Sequence, residues 1–97
     1  MQLSANDIRI IKEYFTGQPV IKAYLFGSYS RNEADSNSDV DILVDLDYSN
    51  HIGLGFVSMQ QTLQEKLHKK VDLISSRAVS GHIKPFIETD KVLIYER

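Results

Sequence analysis

The sequence predicts an α/β (α+β) fold, a small mixed sheet of about four strands flanked by helices. Short apolar, β-prone runs at Val20–Phe26, Val40–Leu46 and Val71–Ile74 alternate with stretches of helical period. The resulting order is α-β-α-β-α-β-α-β, closed by a last strand from Lys91 to Tyr95. With 97 residues there is material for one core and not two, so residues 1–97 are read as a single domain.

Each element has a local cause. The first helix is expected to begin at Ser4, whose hydroxyl can cap the first turn, with Asp7 near its positive end. Leu3 and Ile8 are spaced for a hydrophobic staple. Ile8, Ile11 and Phe15 mark one face, and Gly17-Gln18-Pro19 stops the helix. After the strand Val20–Phe26, a short helix is expected to open at Ser28 and end in Asp35-Ser36-Asn37. In the next strand Val40, Ile42, Val44 and Leu46 share one face, while Asp39, Asp41, Leu43, Asp45 and Asp47 share the other. The loop from Tyr48 to Gly55 holds two glycines and is expected to be mobile. Phe56, Met59, Leu63 and Leu67 then repeat at helical spacing, giving a long amphipathic helix. Val71–Ile74 reads as a short buried strand interrupted by one acid, and His82–Thr89 as a helical turn.

Composition excludes several function classes. Apolar residues make up 42% and charged residues 25%, ordinary globular values. A net charge of −2 argues against direct nucleic-acid binding, which calls for a basic stripe. Lys66, Lys69 and Lys70 read as a solvated helix end. Cysteine is absent, which removes disulfide and thiolate chemistry. No apolar run approaches the roughly 20 residues of a membrane span, and Met1-Gln2-Leu3-Ser4 lacks a signal pattern, so a cytoplasmic protein without membrane contact is expected. His51, His68 and His82 lack zinc-ligand spacing.

Chemistry concentrates in Leu25-Phe26-Gly27-Ser28-Tyr29-Ser30-Arg31 and in Ser38-Asp39-Val40-Asp41. Gly27 allows positive φ and close approach of a ligand to the backbone. A helix opening at Ser28 would offer amides to an anion. The Ser28 hydroxyl and the Arg31 guanidinium add donors for phosphate oxygens. Ten residues separate Ser28 from Asp39, enough to return into a neighbouring strand. Asp39 and Asp41 then point the same way, roughly 7 Å apart along the strand. Neither can neutralise the other, and a divalent cation bridging them to a triphosphate is the economical solution. Asp72 is the candidate third carboxylate for a second ion. Its alternative is a strand acid paired with Lys70 or Arg77. Asp45 and Asp47 lie farther along and read as solvated charges. Tyr29 and Tyr48 stand where either could flank the site.

Gly27-Ser28, ten residues, then Asp39-Val40-Asp41 resembles the signature of the DNA polymerase β nucleotidyltransferase superfamily. Its small prokaryotic branch, the minimal nucleotidyltransferase (MNT) domains, is the nearest in pattern. Arg31, Ser38 and the Val71-Asp72-Leu73 strand extend the resemblance over about Val20 to Ser75. Where such proteins often carry glycine after the arginine, this chain has Asn32. The resemblance implies a polymerase β-like fold with ATP as donor, bound by Gly27, Ser28 and Arg31. It further implies Asp39, Asp41 and Asp72 as catalytic metal ligands for two Mg2+ ions. The reaction implied is transfer of a nucleoside monophosphate with release of pyrophosphate.

Those residues leave little chain for an acceptor pocket. The acceptor must come from another chain, a second copy or a different protein. In the resembling branch the partner is a helical HEPN ribonuclease toxin, and the MNT protein is the antitoxin of a type VII-like pair, transferring AMP to a tyrosine hydroxyl of the toxin. The alternative is a catalytically idle antitoxin that neutralises its partner by contact. Transfer to a small molecule is disfavoured by the missing acceptor domain.

Overall fold

The computed structural model describes residues 3–31, 33–35, 37–49 and 52–97. Its sheet has four strands, β1 (Val20–Phe26), β2 (Val40–Leu46), β3 (Val71–Ser75) and β4 (Val92–Glu96), in the order β3-β2-β1-β4. β1 is antiparallel to β2 and to β4, whereas β2 and β3 are parallel, so the sheet is mixed as expected. Three helices accompany it: α1 (Ala5–Thr16), α2 (Gly55–Leu67) and α3 (Lys84–Asp90).

The apolar stripes read in the sequence become the core. Ser4 caps α1 by accepting the amide of Asp7 at 3.0 Å, and Leu3 and Ile8 pack against the core. Ile11 and Phe15 of α1 and Met59, Leu63 and Leu67 of α2 are buried with Val20, Ala23, Leu25, Val40, Ile42, Val44, Val71 and Leu73 from one face of the sheet. Phe15 is fully buried and its ring lies 5.8 Å from that of Tyr95, closing the layer against β4. α2 ends where His68 adopts the left-handed conformation (φ 54°) and donates its amide to Gln64, a capping role that accounts for this histidine without a metal.

The second face is covered only in part. Leu43 is 4% exposed although its strand neighbours on that face are acids. With Ile87 of α3 it lines a cavity of about 260 Å³ that Asp45, Lys84 and Lys91 also border. The simple apolar-in, acid-out reading of β2 therefore fails at Leu43. Asp47, read as solvated, is held by Arg97 at 2.8 Å and by Ser49, which lower its pKa to about 2. Lys69, read as a solvated helix end, reaches Asp7 at 3.7 Å.

The helix expected from Ser28 is a single 3₁₀ turn, Gly27–Tyr29. Gly27 carbonyl accepts the amides of Ser30 and Arg31 and the Ser30 hydroxyl, so the chain is tied off after one turn. Asn32 and Ser36, within that stretch, and Asn50 and His51, within the loop expected to be mobile, lie outside the described residues. β4 begins at Val92, one residue later than expected.

The edge strand β3 has an uncommon finish. The outward amides of Val71 and Leu73 are taken by side-chain oxygens of α2, Gln64 at 3.1 Å and Gln60 at 3.0 Å. Truncation at the centre of the core tests this layer: Phe15→Ala is expected to lose about 3–5 kcal/mol, read as a lower urea midpoint with an unchanged slope.

Candidate active site

Strand register assembles what the sequence held apart. Phe26, the last residue of β1, is the antiparallel partner of Asp41, and Gly27 follows it directly. Across the parallel ladder Asp41 is the partner of Asp72. The Gly27-Ser28 turn, the Asp39-Val40-Asp41 segment and Asp72 therefore meet at one end of three adjacent strands.

Gly27 is required twice over. Its φ is +73°, and a Cβ built there would collide with the Asp41 carboxylate. Asp41 thus lies flat against the turn that the sequence marks for phosphate. Ser28 sits half-buried beside it, its carbonyl accepting the amide of Glu33 at 2.8 Å.

The three acids act on one another electrostatically. Burial of Asp41 pushes its pKa up to about 6, with further upward contributions from Asp72 and then Asp39, against a downward pull from Arg31. Asp39 has Lys70 at 3.9 Å, a loose pair on an exposed lysine. Asp72 is exposed, and no side chain among the described residues bonds its carboxylate. The costly buried acid expected at this position is instead a solvent-facing group on an edge strand. Both of its expected partners are engaged elsewhere: Lys70 with Asp39, and Arg77 stacked 3.8 Å over the ring of Tyr48.

Among the described residues no three acidic or histidine side chains are arranged to hold a metal ion unaided. Two carboxylates nevertheless fit an ion such as Mg2+, which takes one or two carboxylates and completes its shell with water and substrate phosphates. Burial first, and the neighbouring Asp72 and Asp39 second, raise the cost of charge on Asp41.

Arg31 is placed at the turn as expected, but its guanidinium is shared between Asp90 of α3 and Glu33. Asp90 stands 59 residues away in sequence, with no spacing signal to find it by. Beside this link a cavity of about 280 Å³ is walled by Phe26, Gly27, Ile83, Phe86 and Ile87, and Phe86 is 71% exposed. Of the two tyrosines, Tyr29 is 5% exposed and belongs to the core, so it does not flank the site. Tyr48 is exposed and bonds Ser75 at 2.7 Å at the far end of β3.

Residues 9–97 match the family described as polymerase beta, nucleotidyltransferase. The chain belongs to this nucleotidyltransferase family. It is 36% identical over 87 residues to a candidate protein adenylyltransferase of Methanocaldococcus jannaschii, covering 89% of this chain and 85% of that protein. It is 34% identical over 70 residues to the protein adenylyltransferase MntA of Thermococcus cleftensis, covering 72% of this chain and 70% of the relative. Among solved structures, one chain of a toxin–antitoxin complex with AMP-PNP superposes with a TM-score of 0.75 at 24% identity, over 97% of this chain and 75% of that one. A chain from the complex of a tri-AMPylated Shewanella oneidensis HEPN toxin with its MNT antitoxin superposes with a TM-score of 0.67 at 26% identity, over 95% of this chain and 71% of that one. The nucleotidyltransferase fold read from the Gly-Ser turn and the paired aspartates is the observed one.

Two expectations follow from the geometry. Gly27→Ala forces both an unfavourable φ and a displaced Asp41 carboxylate, and is expected to lower stability by about 1–3 kcal/mol, measured by urea unfolding. Asp41→Asn is expected to do the opposite in metal-free buffer. The folded pKa of about 6 lies above the ordinary aspartate value of 3.8, so ionised Asp41 destabilises the fold at neutral pH. That penalty, about 1–2 kcal/mol after screening, disappears as pH falls from above 6 toward 4. The Tm advantage of Asp41→Asn over wild type should be largest near pH 7.5 and gone by pH 4.

Proposed function

We propose that this chain is a metal-dependent protein adenylyltransferase and the antitoxin of a toxin–antitoxin pair, transferring AMP from ATP to a tyrosine hydroxyl of a helical HEPN partner. The observation that carries the reading is the juxtaposition of Gly27, Asp41 and Asp72 through strand register, with Asp41 pressed against the turn. The names borne by the relatives and structural neighbours agree with it.

In this reading Gly27 lets the triphosphate approach the backbone, Ser28 donates a hydrogen bond to it, and Arg31 faces its outer oxygens. Asp39 and Asp41, with Asp72 beside them, would hold Mg2+, which when bound supplies charge neutralisation at the transferring phosphorus and a more acidic acceptor hydroxyl. The acceptor oxygen forms a bond to the α-phosphorus as the bond from that phosphorus to the bridging oxygen breaks, and pyrophosphate leaves. The hydroxyl proton passes to Asp72, the exposed carboxylate of the three. The open, apolar-edged surface at Ile83 and Phe86 suits a protein acceptor better than a small molecule. Action in the cytoplasm accords with such a partner.

Label transfer from α-³²P-ATP to a co-expressed HEPN protein in Mg2+ tests the reading. Label is expected on the partner and is expected to fall at least about 10³-fold in Asp39→Ala/Asp41→Ala, where the charge-holding groups are gone. A stable complex that neutralises the partner without label would instead make this chain a binding antitoxin.

A further inference from the structure

Asp72 is the exposed member of the acidic trio, Asp39 and Asp41 being half-buried. No described side chain bonds its carboxylate. Its direction is therefore set by its backbone alone. That backbone belongs to a five-residue strand at the edge of the sheet, paired on one side only. The burial of Val71 and Leu73 sets its register, since a slip of one residue turns every side chain to the opposite face. For Asp72 this would exchange its place for that of Val71 or Leu73, both buried in the core.

The free side of β3 is where α2 intervenes. Gln64 accepts the amide of Val71 and Gln60 accepts that of Leu73, the two residues flanking Asp72. The spacings match. Four residues of helix rise about 6 Å and two residues of strand rise about 6.6 Å. Glutamines at i and i+4 of one thus meet amides at j and j+2 of the other. Amides of alternate strand residues point the same way, so both bonds leave the open side of β3 and neither competes with its ladder to β2. The latch pins the backbone on both sides of Asp72 in the register in which Asp72 is opposite Asp41.

We propose that Gln60 and Gln64 are positioning residues for catalysis, pinning the edge of β3 on both sides of Asp72 so that its carboxylate stands beside Asp41. The proposal deepens the adenylyltransferase reading and rests on it for its kinetic consequence. Neither glutamine reaches the reacting groups; both act through the strand. The sequence carried a faint signal: two glutamines four residues apart at the border of the Met59-Leu63-Leu67 stripe.

Three single variants test it. Gln60→Met and Gln64→Met keep the side-chain length but lose the acceptor, and each leaves the other latch in place. Gln60→Glu keeps an acceptor oxygen. The readouts are amide hydrogen exchange across β3, Mn2+ affinity in the presence of AMP-PNP, and kcat and KM for ATP in label transfer. In each Met variant the matching amide, Leu73 or Val71, is expected to exchange at least about tenfold faster, Mn2+ affinity to weaken about tenfold, and kcat to fall by a similar factor with KM for ATP nearly unchanged. Gln60→Glu is expected to restore all three to within about threefold of wild type.

Faster exchange with unaltered Mn2+ affinity and kcat would overturn the proposal, leaving the glutamines as protection of a sheet edge. Unaltered exchange would overturn the latch itself, and a wild type that binds no Mn2+ with the nucleotide would overturn its positioning role. A wild type that binds Mn2+ and nucleotide yet labels no partner would instead sink the adenylyltransferase reading, while exchange and Mn2+ affinity still decide the latch.

Discussion

The contact between the Gly27 backbone and the Asp41 carboxylate is the constraint on which the rest of the site depends. It exists because β1 and β2 are antiparallel neighbours with Phe26 opposite Asp41, and because no Cβ intervenes at the following position. Any other residue at 27 would separate the anion-facing turn from the acid that must work beside it. Strand pairing, turn conformation and catalytic geometry are here a single requirement.

That requirement has an energetic consequence. Pressing Asp41 into partial burial with Asp72 and Asp39 as neighbours places unfavourable charge at the site, so that burial and these two acids raise the Asp41 pKa to about 6. The core can bear this because α1 and α2 cover the other face of the same strands with an unbroken apolar layer. The two faces of the sheet divide the work. One supplies stability, and the other gives some of it up to keep charge ready for a ligand.

The distribution of what the sequence disclosed follows from range. α1, its Ser4 cap and the α2 stripe are governed by residues within a few positions of each other, and they were legible. The acid pair was legible for the same reason, since strand alternation is local. The one-turn helix at Gly27 was not, because hydrogen bonds that close back on the Gly27 carbonyl decided it. The burial of Leu43 and Tyr29 and the exposure of Asp72 are decided by packing. A helix 40 residues downstream buries Leu43, the core takes in Tyr29, and the strand order leaves Asp72 at an edge. Arg31 found Asp90 across the molecule. In each case the deciding partner was distant in sequence and carried no periodic mark.

The sheet's two borders are finished differently. On the β3 side the outward amides are already satisfied by glutamine oxygens, whereas among the described residues no side chain bonds the backbone of β4 in that way. β4 also shows Val92 and Leu93 half to solvent. Growth of this sheet is consequently polar. An extended segment from another molecule meets a closed ladder at one border and an open one at the other, so strand addition to this domain, wanted or unwanted, has a single point of entry.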